Sequence, residues 1–94
     1  MPISTVNANN TNTKFSIYDG DTAVGEWRQH TSAMRTGDEH AVWLLQLTEI
    51  EGIDRKAIDD AIIATVVPQA LFNLRRLCTR YLNCTPLVLG EEGV

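Results

Sequence analysis

The amino-acid sequence predicts a small α/β domain with a mixed sheet, in the element order β-β-β-α-β-α-β. Two strand-like runs flank Asp19 and Gly20, a dipeptide that tolerates the positive φ of a hairpin turn. The continuous apolar run 61–67, rich in β-branched residues, is typical of a strand buried on both faces, which predicts helices above and below the sheet. Apolar residues recur at helical spacing on either side of that run. A hairpin followed by alternating helices and strands defines this fold class.

The first third of the chain contains three predicted strands. Residues 3–8 form the first strand, and residues 14–20 and 22–30 form the hairpin. The first strand is less apolar than a central strand usually is, because it includes Ser4 and Thr5.

A first helix follows the hairpin. Asp38 is a suitable N-cap for a helix that runs to about Glu51, and Gly52 is placed to end it. The apolar residues on its predicted buried face are Trp43, Leu44, Leu47 and Ile50. Residues 52–60 form a polar connection with room for a short helical turn.

The second helix begins at Pro68, because the missing amide of proline would have no partner in a first turn. Its predicted apolar face consists of Leu71, Leu74, Cys78, Tyr81 and Leu82, and its solvated face of Gln69, Asn73, Arg76 and Arg80. Residues 86–89 are predicted to form a last strand, and residues 90–93 a flexible tail.

Composition limits the function classes. Ninety-four residues with 44% apolar content suit one domain, 1–94, with a small core. The net charge of -4 argues against a nucleic-acid partner, because phosphate neutralisation needs clustered cations. The local cluster of Arg75, Arg76 and Arg80 is expected on a solvated helix face. No apolar run is long enough to span a bilayer and no leader opens the chain, so a cytoplasmic protein without membrane contact is expected.

Cysteine and histidine spacing indicates no metal or redox centre. Cys78 and Cys84 are six residues apart without a further Cys pair or His nearby, which predicts free thiols. His30 and His40 lack partners at ligand spacing and are expected to be structural or surface residues.

The segment 7–13, rich in Asn and Thr, is the most informative chemical feature. These residues tolerate tight or left-handed backbone and carry short donors, so their amides and hydroxyls can converge on an anion. The segment is therefore a candidate phosphate cradle. An ordinary polar turn is the alternative, and it is the commoner explanation of such a segment taken alone.

Six segments of the chain occur in a recognisable order. They are residues 10–13, 16–21, 26–28, 35–39, 62–68 and 86–90. Together they resemble the N-terminal part of the type III pantothenate kinases, a family also labelled Bvg accessory factor or transcriptional activator. The resemblance runs from about Val6 to Val94. It implies one half of the ribonuclease-H-like fold of the acetate kinase, sugar kinase, Hsp70 and actin superfamily, in which nucleotide lies between two halves.

The resemblance also implies an activity for the intact enzyme. That enzyme phosphorylates pantothenate with ATP in the first step of coenzyme A biosynthesis, as a homodimer that uses Mg²⁺ and a monovalent cation, K⁺ or NH₄⁺. The family's Gly-x-Asp-Arg motif, with its catalytic base, and its second phosphate motif lie beyond the point that corresponds to Val94. The resemblance thus assigns no catalytic residue to residues 1–94, implies a separate C-terminal domain, and predicts no kinase activity from this part alone.

The family's first phosphate motif, Asp-x-Gly-Asn-Thr, falls on residues 7–11 of this chain. The resemblance implies phosphate binding by Asn9, Asn10, Thr11, Asn12 and Thr13. Asn7 stands where the family has the acidic residue on the Mg²⁺ side, so the shape is kept and the charge is lost. Asn9 stands where the family has glycine, and asparagine is the next most tolerant residue for positive φ.

Three further positions are possible cleft residues by the same resemblance. Arg35 would face a phosphate or hold the loop to the helix start, and a surface cation is an equally open alternative. Thr65 and Pro68 match a strand end and helix start at which ligands collect in α/β sheets. A core strand followed by a helix start explains them equally well.

Two other function classes remain open at this point. The family's second label suggests a transcriptional accessory or regulatory protein, although the acidic charge balance speaks against it. A non-catalytic nucleotide-binding scaffold is favoured by the uncharged Asn7.

Overall fold

A computed structural model describes residues 2–89 and shows a five-stranded sheet with two helices. The elements are β1 (Pro2–Ala8), β2 (Asn12–Asp19), β3 (Thr22–His30), α1 (Gly37–Ile50), a 3₁₀ turn (Arg55–Ala57), β4 (Asp60–Thr65), α2 (Pro68–Tyr81) and β5 (Leu87–Leu89). The predicted element order and the predicted short turn before β4 are confirmed. The predicted tail, 90–93, lies outside the described residues.

The sheet is mixed, with the strand order β3-β2-β1-β4-β5. The β1–β2 and β2–β3 pairs are antiparallel, whereas β1–β4 and β4–β5 are parallel. Gly20, with φ of 63°, closes the predicted hairpin. Because β1 and β4 run in the same direction, Ala8 and Thr65 are paired at the ends of their strands. The residues that follow both strands therefore lie at one edge of the sheet.

The core lies against a single face of the sheet. Side chains alternate between the faces of a strand, and the buried apolar residues on β1, β2 and β4 follow this period of two. These core strand residues are Val6, Ala8, Phe15, Ile17, Ala61 and Ile63, each at most 1% exposed. The helices contribute Ala41, Leu44, Leu74 and Leu77 to the same cluster.

Both helices cover this face, so the prediction of helices above and below the sheet is wrong for residues 2–89. Gly37 of α1 lies directly against α2, and a Cβ there would stand 2.8 Å from the Cβ of Arg76. On the other face, Ile62 and Ala64 of β4 are only half-buried. The apolar run 61–67 is therefore not one strand buried along its whole length. β4 ends at Thr65, and Val66, which follows it, is 71% exposed.

The start of α1 differs from its prediction. Thr36, not Asp38, is the N-cap: its hydroxyl accepts from the N–H of Glu39 at 3.1 Å, and the Glu39 carboxylate accepts from the N–H of Thr36 at 3.0 Å. The hydrogen bond from the Thr36 backbone holds the pKa of Glu39 below its usual value. Asp38 instead accepts a hydrogen bond from the Tyr81 hydroxyl at 2.5 Å, which links α1 to the end of α2.

The buried faces of the helices are also corrected. Ile50, predicted to be buried, is 78% exposed, whereas His40 and Thr48 are buried on α1. On α2 the fully buried Leu77 was missed, and Asn73, assigned to the solvated face, donates to the carbonyl of Ala33 at 3.3 Å. The predicted ends are confirmed, since Pro68 begins α2 and Gly52, with φ of 74°, follows the last turn of α1.

Both cysteines are free thiols, as predicted. Cys78 is fully buried, and burial raises the pKa of its thiol to about 12. A thiol that stays protonated is a poor nucleophile, so Cys78 is a packing residue.

His40 makes the stability of the fold dependent on pH. It is 3% exposed and packs against the ring of Phe15, with 5.8 Å between the ring centroids. Within residues 2–89 its Nδ1 atom has no hydrogen-bond partner. Burial lowers the pKa of His40 from 6.5 to about 4. The folded protein therefore holds this imidazole neutral under conditions in which the unfolded chain protonates it.

We expect the free energy of unfolding to fall as the pH drops from about 6.5 to about 4 and to level off below, because only the unfolded state takes up this proton in that window. The loss due to His40 should be as much as about 3 kcal/mol. Urea unfolding of the wild type and of His40→Leu between pH 7.5 and 4 would measure it. The difference between the two proteins should change across this window, and parallel curves would contradict the role of His40.

Candidate functional site

The candidate phosphate loop connects β1 to β2 at the edge where two parallel strands end. Ala8 precedes the loop, and its carbonyl accepts from the N–H of Val66 at 3.3 Å. The first residue of α2, Pro68, follows two residues later. The structure thus brings the loop, the end of β4 and the start of α2 together at one edge of the sheet. Ligand sites in open α/β sheets occupy edges of this kind.

Asn9 organises the loop through its side chain. Its Oδ1 atom accepts from the N–H of Thr11 at 2.9 Å and from the N–H of Asn12 at 2.8 Å. Its own N–H donates to the carbonyl of Asn12 at 3.1 Å. This is an Asx-type turn, in which a side-chain oxygen takes the place of a backbone acceptor. Two backbone donors consequently point at one position, and the oxygen of Asn9 fills it.

The remaining loop residues have different surroundings. Asn10 and Thr11 are exposed, and the carbonyl of Thr11 accepts from the N–H of Thr31 at 2.9 Å. Thr13 is 3% exposed, and its hydroxyl lies 2.8 Å from that of Thr31. The Thr13 side chain therefore joins the base of the loop to the segment after β3, while residues 9–12 form its outer rim.

An open cavity of about 210 Å³ adjoins the loop. Its lining residues are Asn7, Asn9, Asn12, Lys14 and Arg28. Lys14 is paired across the sheet with Asn7 on one side and with Arg28 on the other, which places these three residues in a row. They lie on the face opposite the core, because their positions alternate with the buried Phe15 and the half-buried Trp27.

Lys14 and Arg28 were missed by the sequence analysis, although a signal for them existed. The alternation along β2 puts position 14 on the same face as position 12, and the short hairpins then pair it with positions 7 and 28. The ammonium of Lys14 lies 3.3 Å from the carboxylate of Glu26, and both side chains are half-exposed. The side chain of Arg28 has no hydrogen bond or ion pair to another residue of the described range 2–89.

The three predicted cleft residues are anchored by local contacts. Arg35 donates from Nη1 to Oε1 of Gln29 at 2.9 Å and to the carbonyl of His30 at 2.8 Å. It therefore holds the segment before α1 to the end of β3 and does not line the cavity. Thr65 accepts at its hydroxyl from the N–H of Val67 at 2.9 Å, which shapes the turn into α2 at Pro68.

A second match to a family motif lies elsewhere. Residues 52–55 also spell Gly-x-Asp-Arg, a motif that the sequence analysis expected only beyond Val94, so the expectation that these letters do not occur in this chain is wrong. Asp54 caps the 3₁₀ turn by accepting from the N–H of Lys56 at 2.9 Å, and this turn leads into the start of β4. The tetrapeptide and a cavity of about 400 Å³ beside it are thus at the opposite edge from the loop.

The charges at the loop favour an anion over a bare metal ion. Asn7 offers one neutral amide oxygen and lies beside Lys14. Within residues 2–89, no three His, Cys, Asp or Glu side chains are grouped so that they could hold a metal ion. Mg²⁺ needs oxygen ligands, commonly carboxylates and phosphates, so these residues do not fit a magnesium site held by the protein alone.

Neither helix in the described part of the chain is long and apolar enough to cross a membrane.

Comparison with known proteins identifies one family. The family described as type III pantothenate kinase matches residues 5–94. The type III pantothenate kinase of Paramagnetospirillum magneticum is 55% identical over 95% of this chain and 34% of the relative. That of Rhodospirillum rubrum is 54% identical over 95% and 35%, and that of Caulobacter vibrioides is 50% identical over 99% and 36%. The chain therefore spans about a third of the length of these curated relatives.

Solved structures share the fold at low sequence identity. A ROK hexokinase from Thermus thermophilus superposes with a TM-score of 0.68 and 11% identity over 94% of this chain and 34% of that chain. The type II variant of the Aquifex aeolicus Ppx/GppA phosphatase has a TM-score of 0.50 and 14% identity over 95% and 35%. The fold is thus a mixed-sheet half domain of the kind found in sugar kinases, which confirms the predicted fold class.

Proposed function

The chain belongs to the type III pantothenate kinase family, and from this premise we propose that it forms the ATP-phosphate-binding domain of a pantothenate kinase. One observation supports this role more than any other. Lys14 and Arg28 line one cavity together with Asn9 and Asn12 of the loop between β1 and β2, at the edge where β1 and β4 end. The proposed reaction is transfer of a phosphoryl group from ATP to pantothenate. It is proposed for a protein of the relatives' length, of which this chain is about a third.

The proposed role of the cavity follows from the chemistry of phosphoryl transfer. The protein's main tasks in such a reaction are positioning and neutralisation of phosphate charge. A guanidinium and an ammonium together supply two positive charges and several donors for phosphate oxygens. The loop residues 9–12 would hold the same phosphates from the strand end. The pantothenate site and the rest of the catalytic machinery are assigned to the part of the relatives that this chain does not match.

The proposal also covers the metal ions, the oligomeric state and the cellular location. Mg²⁺ would be held chiefly by the phosphates of ATP and by water, since Asn7 contributes no charge. A monovalent cation, K⁺ or NH₄⁺, a homodimer and a cytoplasmic location are proposed from family membership. The transcriptional and scaffold alternatives gain no support, because the relatives compared are all described as kinases.

The two cavity cations are expected to carry phosphate binding. Lys14→Ala and Arg28→Ala should each weaken binding of inorganic pyrophosphate by roughly five- to twentyfold, because each removes a charge-assisted hydrogen bond. Lys56→Ala is the matched control, since it removes an exposed lysine from the opposite edge of the sheet. Calorimetric titration at low salt measures all three. Equal weakening in the control would mean that binding follows net charge and not this cavity.

Asn7→Asp is expected to make nucleotide affinity depend on Mg²⁺. Without Mg²⁺ the new carboxylate should repel ATP, and with Mg²⁺ it should raise the affinity by roughly three- to tenfold because it supplies a charged oxygen ligand. Asn10→Asp adds the same charge at the exposed tip of the loop and should weaken binding under both conditions. If Asn7→Asp brings no Mg²⁺-dependent gain, position 7 is not on the metal side.

Activity is tested by reconstitution. We expect no pantothenate-dependent ADP release from this chain with ATP and Mg²⁺. Mixing it with the part of the Paramagnetospirillum magneticum kinase that follows the matched region should produce ADP release, which Lys14→Ala lowers and Lys56→Ala leaves unchanged. A complex that forms, as shown by size-exclusion chromatography, and yet releases no ADP would favour a binding or regulatory role.

A further inference from the structure

The loop between β1 and β2 already binds an oxygen atom of its own. The N–H groups of Thr11 and Asn12 both donate to Oδ1 of Asn9, at 2.9 Å and 2.8 Å. Neighbouring backbone amides that converge on one point are the donors with which protein loops bind anions. Asn9 and Asn12 also line the cavity that holds two cations. The carboxamide oxygen thus occupies a position that suits one oxygen of a bound anion.

We propose that Asn9 is an internal competitor for phosphate at this loop, an autoinhibitory contact that sets the affinity of the cavity. The inference deepens the proposed function and rests on it, because it concerns the same site. Binding of a phosphate oxygen to the two amides requires the Asn9 side chain to rotate away. The released carboxamide is short and exposed, so it can turn to water without unfolding the loop.

Lys14 is restrained in a similar way. Its ammonium lies 3.3 Å from the carboxylate of Glu26, so this donor too has an internal acceptor. The Arg28 side chain has no such partner among residues 2–89, so an incoming anion can reach this donor without breaking an internal ion pair. Hydrogen bonds to a charged oxygen are about twice as strong as those between neutral groups, so phosphate can displace the amide oxygen of Asn9. Because the two hydrogen bonds to Asn9 must be broken first, the net affinity for phosphate is lower than it would be without the Asn9 oxygen.

Removal of the competitor should therefore strengthen phosphate binding. Two neutral hydrogen bonds no longer have to be broken, which corresponds to a gain in affinity of roughly five- to thirtyfold. Asn9→Ala removes the oxygen and keeps a Cβ, so the intrinsic backbone freedom of residue 9 itself stays far below that of glycine. Asn9→Gly removes the oxygen and also frees the backbone. Comparison of the two variants separates competition from flexibility.

The experiment is a titration of the ¹⁵N-labelled chain with inorganic pyrophosphate, followed through the amide signals of Thr11 and Asn12. Wild type, Asn9→Ala and Asn9→Gly are compared with Asn83→Gly. That control replaces an exposed asparagine with φ of 55° next to the cavity at the opposite edge of the sheet. Amide hydrogen exchange without ligand is measured on the same samples. It reports directly whether Asn9 protects the two amides.

The proposal predicts tighter pyrophosphate binding in both Asn9 variants, unchanged binding in Asn83→Gly, and faster exchange of the Thr11 and Asn12 amides in both Asn9 variants. A gain in Asn9→Gly alone would assign the effect to backbone freedom and overturn the competitor role. Unchanged or weaker binding in both variants, with the two amides still shifting, would also overturn it but would leave the phosphate site in place. If no variant responds to pyrophosphate while its spectrum stays well dispersed, the proposed phosphate-binding function fails together with this inference.

Discussion

The parallel pairing of β1 with β4 is the constraint on which the rest of the molecule depends. The two strands are distant in sequence, and their register places Val6 beside Ile63 and Ala8 beside Thr65. A parallel pair requires a long connection, and here it consists of β2, β3, α1 and the 3₁₀ turn, of which α1 covers the core. The same pairing decides that the loop after β1 and the turn after β4 share an edge. The core and the candidate site thus follow from one register.

The antiparallel register of β2 with β1 and β3 sets which residues lie on each face of the sheet. Because side chains alternate, Phe15 faces the helices while its neighbour Lys14 faces the cavity. A slip of one residue would bury the ammonium of Lys14 and expose Phe15, at a large cost in desolvation and lost burial. The packing of the core therefore also fixes the face on which Lys14 and Arg28 lie. The hydroxyl pair of Thr13 and Thr31 adds a polar clamp at the end of this arrangement.

Local patterns were sufficient to predict the elements and insufficient to predict how they combine. The hairpin turn, the helix start at Pro68 and the β-branched run of β4 are local signals, and each was placed within a few residues. The burial of both helices on one face is a tertiary fact, because an apolar run alone does not say which neighbour covers it. The capping box at Thr36 was readable from the sequence, but Asp38 competed as an equally good cap by residue type.

The candidate site divides in the same way. The loop 7–13 was recognisable because its residue types are suited to tight turns, and family resemblance located it further. Lys14 and Arg28 required the register of the two short hairpins that β1, β2 and β3 form, and that register was not worked out from the sequence. The contacts of Arg35 likewise depend on where β3 ends beside the segment before α1, so its two alternatives could not be separated beforehand. Candidate site residues within one segment were recognised from the sequence, whereas residues brought together by strand pairing were missed.

Asn7 and Asn9 act on the cavity in opposite directions. A carboxylate at position 7 would lie beside Lys14 and would offset part of the positive charge that attracts a phosphate. Asparagine adds no negative charge to that of Glu26, which lies 3.3 Å from the lysine. At position 9, asparagine adds an oxygen that occupies two backbone donors, which reduces what the loop can offer an anion. One residue strengthens attraction at long range and the other weakens binding at contact distance. Under the proposed function, the affinity of this loop for phosphate would be a balance between its two asparagines, and neither could be interpreted without the other.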